Sequence, residues 1–494
     1  MSASAAVRAL TGTKRGRDRA EARNGLPVEP DLTQPLPKRL LHSRLAWLTL
    51  VMAIAYAVCL VLLYRQVVPD QEVPGGVSVG LGREALPIAA KYAAITAIPL
   101  SLLFLWADRF RPQRFWVWIM TFGWGACVAT YVAAGVNTWA AGHLSIIGDG
   151  DPATGARAAI FVAPFVEEAA KGSVLFWLAI LMRYAWVSRL SGIVLAGLSG
   201  AAFAFVENIL YYGRAYRYAA RTIGSVSPEQ ALHQTFVLRG LLTFFGHPLF
   251  TSMTGIGLAV ALRSKSKTVR VVAPLAGFLV AALLHMSFNT AASLLSTTQQ
   301  IFVLIFVAVP LVLGLVGYIV RTLLKEGRLI RTRLGDYVRV GWLEPDDPQP
   351  LSRLRTRTRA VWHALFLGPA TFLATVRLQR AVTELAYLRD AMDRGLVDAA
   401  GQRRERVLLA RLRELHPRAV IDPVGRAAYP WQRLRRPTGR HAAVPAYAPA
   451  AFPGPARLGG SFPAPGAPTG AAAPLGQTAT RYSEVDPSWK PPGE

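Results

Sequence analysis

Uncharged apolar runs of about 20 residues, the length a helix needs to cross a bilayer, recur along this chain of 494 residues. Residues 45–63, 115–134 and 301–320 carry no Asp, Glu, Lys, Arg or His. Backbone that crosses hydrocarbon must satisfy its own hydrogen bonds, so runs of this kind fold as helices. With 52% hydrophobic residues and a mean hydropathy of +0.31, the chain reads as an all-α, polytopic membrane protein. Helical spans are expected to start near residues 45, 86, 115, 158, 190, 236, 271 and 301, about eight in all.

The segments outside these runs are basic. The formal net charge is +26, concentrated before the first span, in "DRFRPQR" and "RSKSKTVR", and after residue 320. This is the positive-inside pattern of cytoplasmic loops and needs no nucleic-acid partner. It also favours anionic lipids at the cytoplasmic face. The expected location is the cell membrane, multi-pass, with both termini cytoplasmic. One loop disagrees: "YGRAYRYAARTIGSVSPEQ" puts Arg214, Arg217 and Arg221 outside.

Four divisions follow. Residues 1–43 are a basic, disordered cytoplasmic N-terminus and 44–321 the transmembrane domain. Residues 322–436 form a basic cytoplasmic helical region, with helical spacing in "RLQRAVTELAYLRDAM" and "RRERVLLARLRELH". Residues 437–494, dense in Pro, Ala and Gly, are a disordered tail. The N-terminus is too long for a cleavable signal. Two cysteines, Cys59 and Cys127, fall inside spans and read as packing residues.

Against this background the fourth span is anomalous, because "FVEEAAKG" places Glu167, Glu168 and Lys171 where hydrocarbon should be. Glu207 and Asn208 occupy the fifth span, His247 the sixth, and His285 with Asn289 the seventh. Each ionised group at mid-bilayer costs about 2.5–3.5 kcal/mol, so the set is expected to meet in one protein-lined cavity. Spacings of three and four let Lys171 reach either carboxylate, put His285 and Asn289 on one face, and align Phe203, Glu207 and Tyr211. His247 precedes Pro248, which is expected to break the helical bonding at the carbonyl of Phe244. At about 1.5 Å per residue, Glu167 and His247 lie about 14 and 16 Å below the outer ends of their spans. Glu207 and His285 fall at a similar level.

Three carboxylates against Lys171 leave about two negative charges, too costly to bury unpaired. A divalent metal on the histidines and a carboxylate, protonated histidines or a protonated glutamate would each neutralise them. The His-Glu-x-x-His signature is absent. Small residues at Gly197, Gly200, Ala201 and Ala204 suit close helix packing around the site.

The ordered set Glu-Glu-x-x-Lys, Phe-x-x-x-Glu-Asn, His247 and His285 resembles the PrsW family of bacterial intramembrane proteases, which is related to the type II CAAX-prenyl endopeptidases. The resemblance covers roughly residues 45–320. It implies a peptidase acting on membrane-embedded or membrane-tethered proteins at a site between the fourth and seventh spans. Glu167 would activate water, Glu168 would assist it or act as acid, and Glu207 would complete the acidic wall. His247 and His285 would bind a metal, zinc by this reading, or stabilise the oxyanion in a glutamate-type enzyme without metal. Lys171, Asn208 and Asn289 would support them. Some members of the family cut anti-sigma factors. Two other classes fit intramembrane charge: a proton- or ion-coupled transporter, and a non-catalytic scaffold recruiting partners through the cytoplasmic helices.

Overall fold

The computed structural model describes residue 26 and residues 35–423, apart from 42, 74–75, 111, 145–155, 182–185, 187, 223, 225 and 398–399. Most of the N-terminal segment 1–43 and all of the tail at 437–494 lie outside the described residues. The chain divides into two compact units between Thr322 and Leu323.

The first unit is built from long helices. α1 spans Arg44–Val67 and α2 spans Gly82–Ala107, joined through a small antiparallel hairpin, β1 (Gln71–Val73) and β2 (Gly76–Ser78). α3 runs over Phe115–Leu144 with a π turn at Trp124–Ala129. α4, Ala163–Leu181, follows directly on a π turn at Ala158–Val162. α5 is Arg189–Arg221, and α6, Pro228–Phe236, continues into a π turn at Val237–Leu242. α7 is Gly246–Leu262, α8 is Lys267–Leu294 and α9 is Thr297–Arg339, which carries on past the division. Among the described residues the β hairpin is the one departure from the all-helical expectation. It is three residues a side and leaves the architecture that of a polytopic α-helical membrane protein.

Sequence punctuation sets the starts. Ser188, Ser227, Ser266 and Ser296 each cap a helix by accepting from a backbone N–H three residues on. Pro228 adds a first-turn proline that has no N–H to waste.

Among the described residues, seven helical segments are long and apolar enough to cross a membrane, taking Pro228–Leu262 as one. The fourth expected span, α4 with its π turn, misses this description because its middle carries Glu167, Glu168 and Lys171. Its charges face protein: all three side chains are buried.

α5 is the hub, packed against α2, α3, α4, α6 and α7. Small residues bring the backbones together. A Cβ on Gly192 would fall 2.2 Å from the carbonyl oxygen of Gly255 on α7, and one on Gly255 would fall 2.3 Å from that of Gly192. Gly200 lets α5 lie against the first turn of α7, where a Cβ would stand 2.7 Å from the carbonyl oxygen of His247. Close approach of this kind takes the place of the hydrophobic effect, which gives helices little reason to associate in lipid.

Contacts between loops sort the ends of the helices. Asp70, between α1 and β1, pairs with Arg217 at 3.4 Å and Arg221 at 2.5 Å on the last turns of α5. Hydrogen bonds from Arg221 and from the Gly80 N–H hold the Asp70 carboxyl below the usual carboxylate range. At the other end of α5, Gln113 donates to Ser191 at 3.5 Å. The arginines that conflicted with the positive-inside pattern are thus partly neutralised by an acidic partner on the same end of the bundle.

The second unit continues from α9 into α10 (Pro348–Ser352), α11 (Leu354–Leu365), α12 (Pro369–Asp393) and α13 (Ala400–Leu415). The two arginine- and leucine-rich stretches read as amphipathic helices are α12 and α13, and they pack on each other. Their apolar faces bury Leu378, Val382, Leu385, Leu408 and Leu412. Glu405 is buried among partners, accepting from Tyr337 at 2.5 Å and pairing with Arg389 at 3.3 Å.

Candidate active site

Glu167, Glu168 and Lys171 project from adjacent turns of α4 into the space between α5, α7 and α8. Lys171 is fully buried and uses its ammonium on three acceptors. Glu168 Oε1 lies at 2.7 Å, His247 Nδ1 at 2.9 Å and Glu167 Oε2 at 3.3 Å. The Phe203 ring, 4.2 Å from Nζ, closes the remaining side. The i, i+3 and i, i+4 spacing delivers both carboxylates to one lysine, and α7 supplies the third acceptor.

The two histidines are held in the same way. An ammonium has no acceptor lone pair, so His247 Nδ1 accepts from Lys171 and its Nε2–H donates to Glu207 Oε2 at 2.8 Å. His285 Nδ1–H donates to Glu168 Oε1 at 3.1 Å, leaving Nε2 as the lone-pair nitrogen. Each imidazole therefore has a carboxylate behind it and a lone-pair nitrogen in front, that of His247 accepting from the Lys171 ammonium. In front of both stands Glu167 Oε2, 4.0 Å from His247 Nδ1 and 3.8 Å from His285 Nε2. The ring centroids of the histidines are 5.1 Å apart and nearly perpendicular.

Several partners were not foreseen from the sequence. Arg239, carried inward on the π turn, pairs with Glu207 at 2.5 Å, donates to Asn208 Oδ1 at 3.3 Å and stacks 3.6 Å above the Tyr211 ring. It revises the charge count. Glu167, Glu168 and Glu207 face Lys171 and Arg239, so with neutral histidines one net negative charge remains rather than two. A lone arginine in an apolar segment that also holds His247 was the available signal. Asn137 on α3 donates to Glu167 Oε1 at 3.1 Å, and Thr251 on α7 donates to Glu168 Oε2 at 2.8 Å. Neither stands out in sequence, since short polar residues are common in membrane helices.

Two expectations change. Pro248 does not interrupt a continuous sixth span. The helix is already broken at residues 243–245, and α7 restarts at Gly246, so His247 and Pro248 lie in its first turn. Proline fits there because first-turn N–H groups have no helical partner to lose. Asn289 is not among the residues around Glu167: its Nδ2 donates 2.8 Å to the carbonyl of Ala159, tying α8 to the π turn before α4.

A group of three donors suits a cation. Glu167, His247 and His285 each offer one atom, all within 4.8 Å of one another. Two imidazoles and one carboxylate are a donor set of catalytic zinc sites. Carboxylates behind metal-binding histidines fix tautomer and ring orientation in such sites, and Glu207 and Glu168 stand in that relation here. The residues fit the group.

Residues 113–315 match the family model described as PrsW family intramembrane metalloprotease. The matched stretch runs from the start of α3 into α9 and contains every residue of the cluster. It is narrower than the expected 45–320: α1 and α2, which contribute no charged residue to the cluster, lie outside it. No curated protein and no solved structure matches the chain.

Proposed function

We propose that residues 113–315, which match the model of PrsW family intramembrane metalloproteases, hydrolyse peptide bonds of membrane-embedded or membrane-tethered proteins at the Glu167–His247–His285 group, between α4, α5, α7 and α8. One observation carries this reading. Both histidines are held from behind by their own carboxylate, and their lone-pair nitrogens stand 4.0 and 3.8 Å from Glu167 Oε2, that of His247 accepting from Lys171. At His285 a structural polar cluster has no need of that orientation, since the lone pair of Nε2 faces a carboxylate; a site that holds a cation or a water does.

Glu167 Oε2, His247 Nδ1 and His285 Nε2 would hold the metal, with zinc the ion that this donor set favours. When bound, a divalent cation supplies a Lewis acid for the scissile carbonyl and lowers the proton affinity of a water. The chain's own groups do the rest. Glu168 has both oxygens engaged, by Lys171 and His285 on Oε1 and Thr251 on Oε2, and acts as an orienter. Glu167 keeps Oε2 directed at the imidazoles while Asn137 holds Oε1; with a metal bound it serves as a ligand, and in an enzyme without metal it is the carboxylate placed to take a proton from water. Lys171 and Arg239 offset the carboxylate charge.

A glutamate-type enzyme without metal has one observation on its side. The Lys171 ammonium already stands within hydrogen-bond reach of two of the three donor atoms. A single experiment separates the readings. The purified chain in nanodiscs is assayed on a single-span reporter while its zinc content is measured. Glu167→Gln is expected to lower cleavage by about 100-fold or more, and His285→Ala to lose both zinc and cleavage. Lys171→Met should raise zinc affinity in chelator competition, because it frees two donors. Full cleavage by zinc-free native protein would sink the metal reading, and full cleavage by Glu167→Gln would sink the site.

A further inference from the structure

In the described stretch 325–423, every exposed large apolar side chain falls within residues 362–373: Trp362, Leu365, Phe366, Leu367 and Leu373. They sit at one place in the fold. α11 and α12 run antiparallel, locked by Arg357, which donates to Thr383 Oγ1 at 2.9 Å and to the Gln379 carbonyl at 3.1 Å. Gln379 donates back to the Arg357 carbonyl at 3.0 Å. The turn between the helices passes through Gly368, whose φ of 112° is open to glycine and strained for other residues. The five side chains form the tip of this hairpin. A soluble surface rarely gathers its apolar exposure into one projecting turn.

Arginines stand behind the tip on both arms. On α11, Arg355, Arg359, Trp362 and Phe366 follow a 4, 3, 4 spacing and share a face. On α12, Leu373, Arg377 and Arg380 follow 4, 3. Arg355, Arg377 and Arg380 are exposed. At 1.5 Å per residue, Arg359 stands about 10 Å behind Phe366, and Arg380 about 10 Å behind Leu373. Between Pro348 and Thr383 there are six arginines and no acidic residue.

We propose that this hairpin tip is a membrane-surface anchor, inserting Trp362, Leu365, Phe366, Leu367 and Leu373 into the interface of an anionic leaflet while the arginines behind them contact lipid phosphates. Interfacial segments bury their apolar face about 5–10 Å into the headgroup and acyl boundary, the depth that separates the tip from its arginines. Arginine stems extend along apolar surface and leave the guanidinium at phosphate level. The bilayer is the occupant that the connectivity favours. The unit continues without a break from α9, whose N-terminal part is a candidate span, so lipid is always at hand. A protein partner able to cover the tip would need acidic groups flanking an apolar pocket; the bilayer interface supplies both layers.

The test uses the full chain with Cys59→Ala and Cys127→Ala, spin-labelled at Leu367→Cys or, as a control on exposed α13, at Glu414→Cys. Oxygen and a water-soluble nickel chelate report the surroundings of each label in nanodiscs with and without phosphatidylglycerol. The expected result is a higher oxygen-to-nickel contact ratio at 367 than at 414 in anionic discs. That ratio should drop toward the control when phosphatidylglycerol is omitted, and when Arg355, Arg377 and Arg380 are replaced by Gln. Equal ratios at both positions in anionic discs would overturn the proposal. A shielded label at 367 that is unchanged in lipid-free detergent would also overturn it, in favour of a protein contact.

Discussion

Arg239 shows how one side chain can hold a second in register. Its guanidinium spans Glu207 and Asn208 and lies flat on Tyr211, a planar fork that a lysine cannot imitate. Glu207 in turn receives the Nε2–H of His247 at the same oxygen. Arg239→Met leaves Glu207 with one neutral donor in apolar surroundings, where it aligns His247 poorly. Groups that orient ligands are typically worth about 10- to 100-fold in activity or metal affinity. Arg239→Met is expected to fall in that range through kcat, with KM for a reporter little changed, and Arg239→Lys to recover part of the loss. A loss confined to KM, with zinc content and kcat intact, would mean that Arg239 serves substrate binding instead.

At the scale of elements, the site depends on how closely α5 and α7 approach. The break at residues 243–245 puts His247 in the first turn of α7, and Gly200 is what allows that turn to sit against α5. A methyl at position 200 would lie 2.7 Å from the His247 carbonyl oxygen and 2.9 Å from the Pro248 nitrogen. Both are backbone atoms, so α7 must shift as a body. Displacement of a reacting group by about 1 Å can cost on the order of 100-fold in rate. Gly200→Ala is expected to lose cleavage on that order while inserting and purifying normally. Gly135→Ala on α3, where a Cβ meets nothing within 4 Å, should leave cleavage unchanged. Equal activity of the two variants would contradict the positioning role of Gly200.

Across the whole molecule, the charged helix α4 decides the parity of the topology. If it crosses the bilayer with the seven apolar segments, eight passes bring the N-terminus and the second unit to one side. Asp70 with Arg217 and Arg221 then marks the opposite side, and Gln113 with Ser191 the side of the termini. Labelling of single cysteines in sealed vesicles, in a background without Cys59 and Cys127, is expected to place positions 30 and 414 together and position 224 opposite. Finding 30 and 414 on opposite sides would mean that one of the eight helices fails to span.

Much of this was legible in a single chain. The spans announced themselves because hydrocarbon tolerates few charges over about 20 residues, and Glu167, Glu168, Glu207, His247 and His285 stood out for the same reason. Local spacing also foretold the reach of Lys171 toward both glutamates, since helical neighbours at three and four residues are fixed by backbone geometry. What sequence could not rank was roles within the set. Adjacent glutamates look alike in the chain, yet Glu168 is fully engaged by Lys171, His285 and Thr251 while Glu167 turns an oxygen toward both imidazoles. Asn289, a helical turn from His285, bonds to Ala159 instead of entering the cluster. Arg239, Asn137 and Thr251 come from helices whose rotation is set by packing against α5, and a π turn re-aims one of them. Spacing along one helix is a local property of the backbone. The facing of different helices is a property of all their contacts together, and it is the facing that makes a set of buried charges into a site.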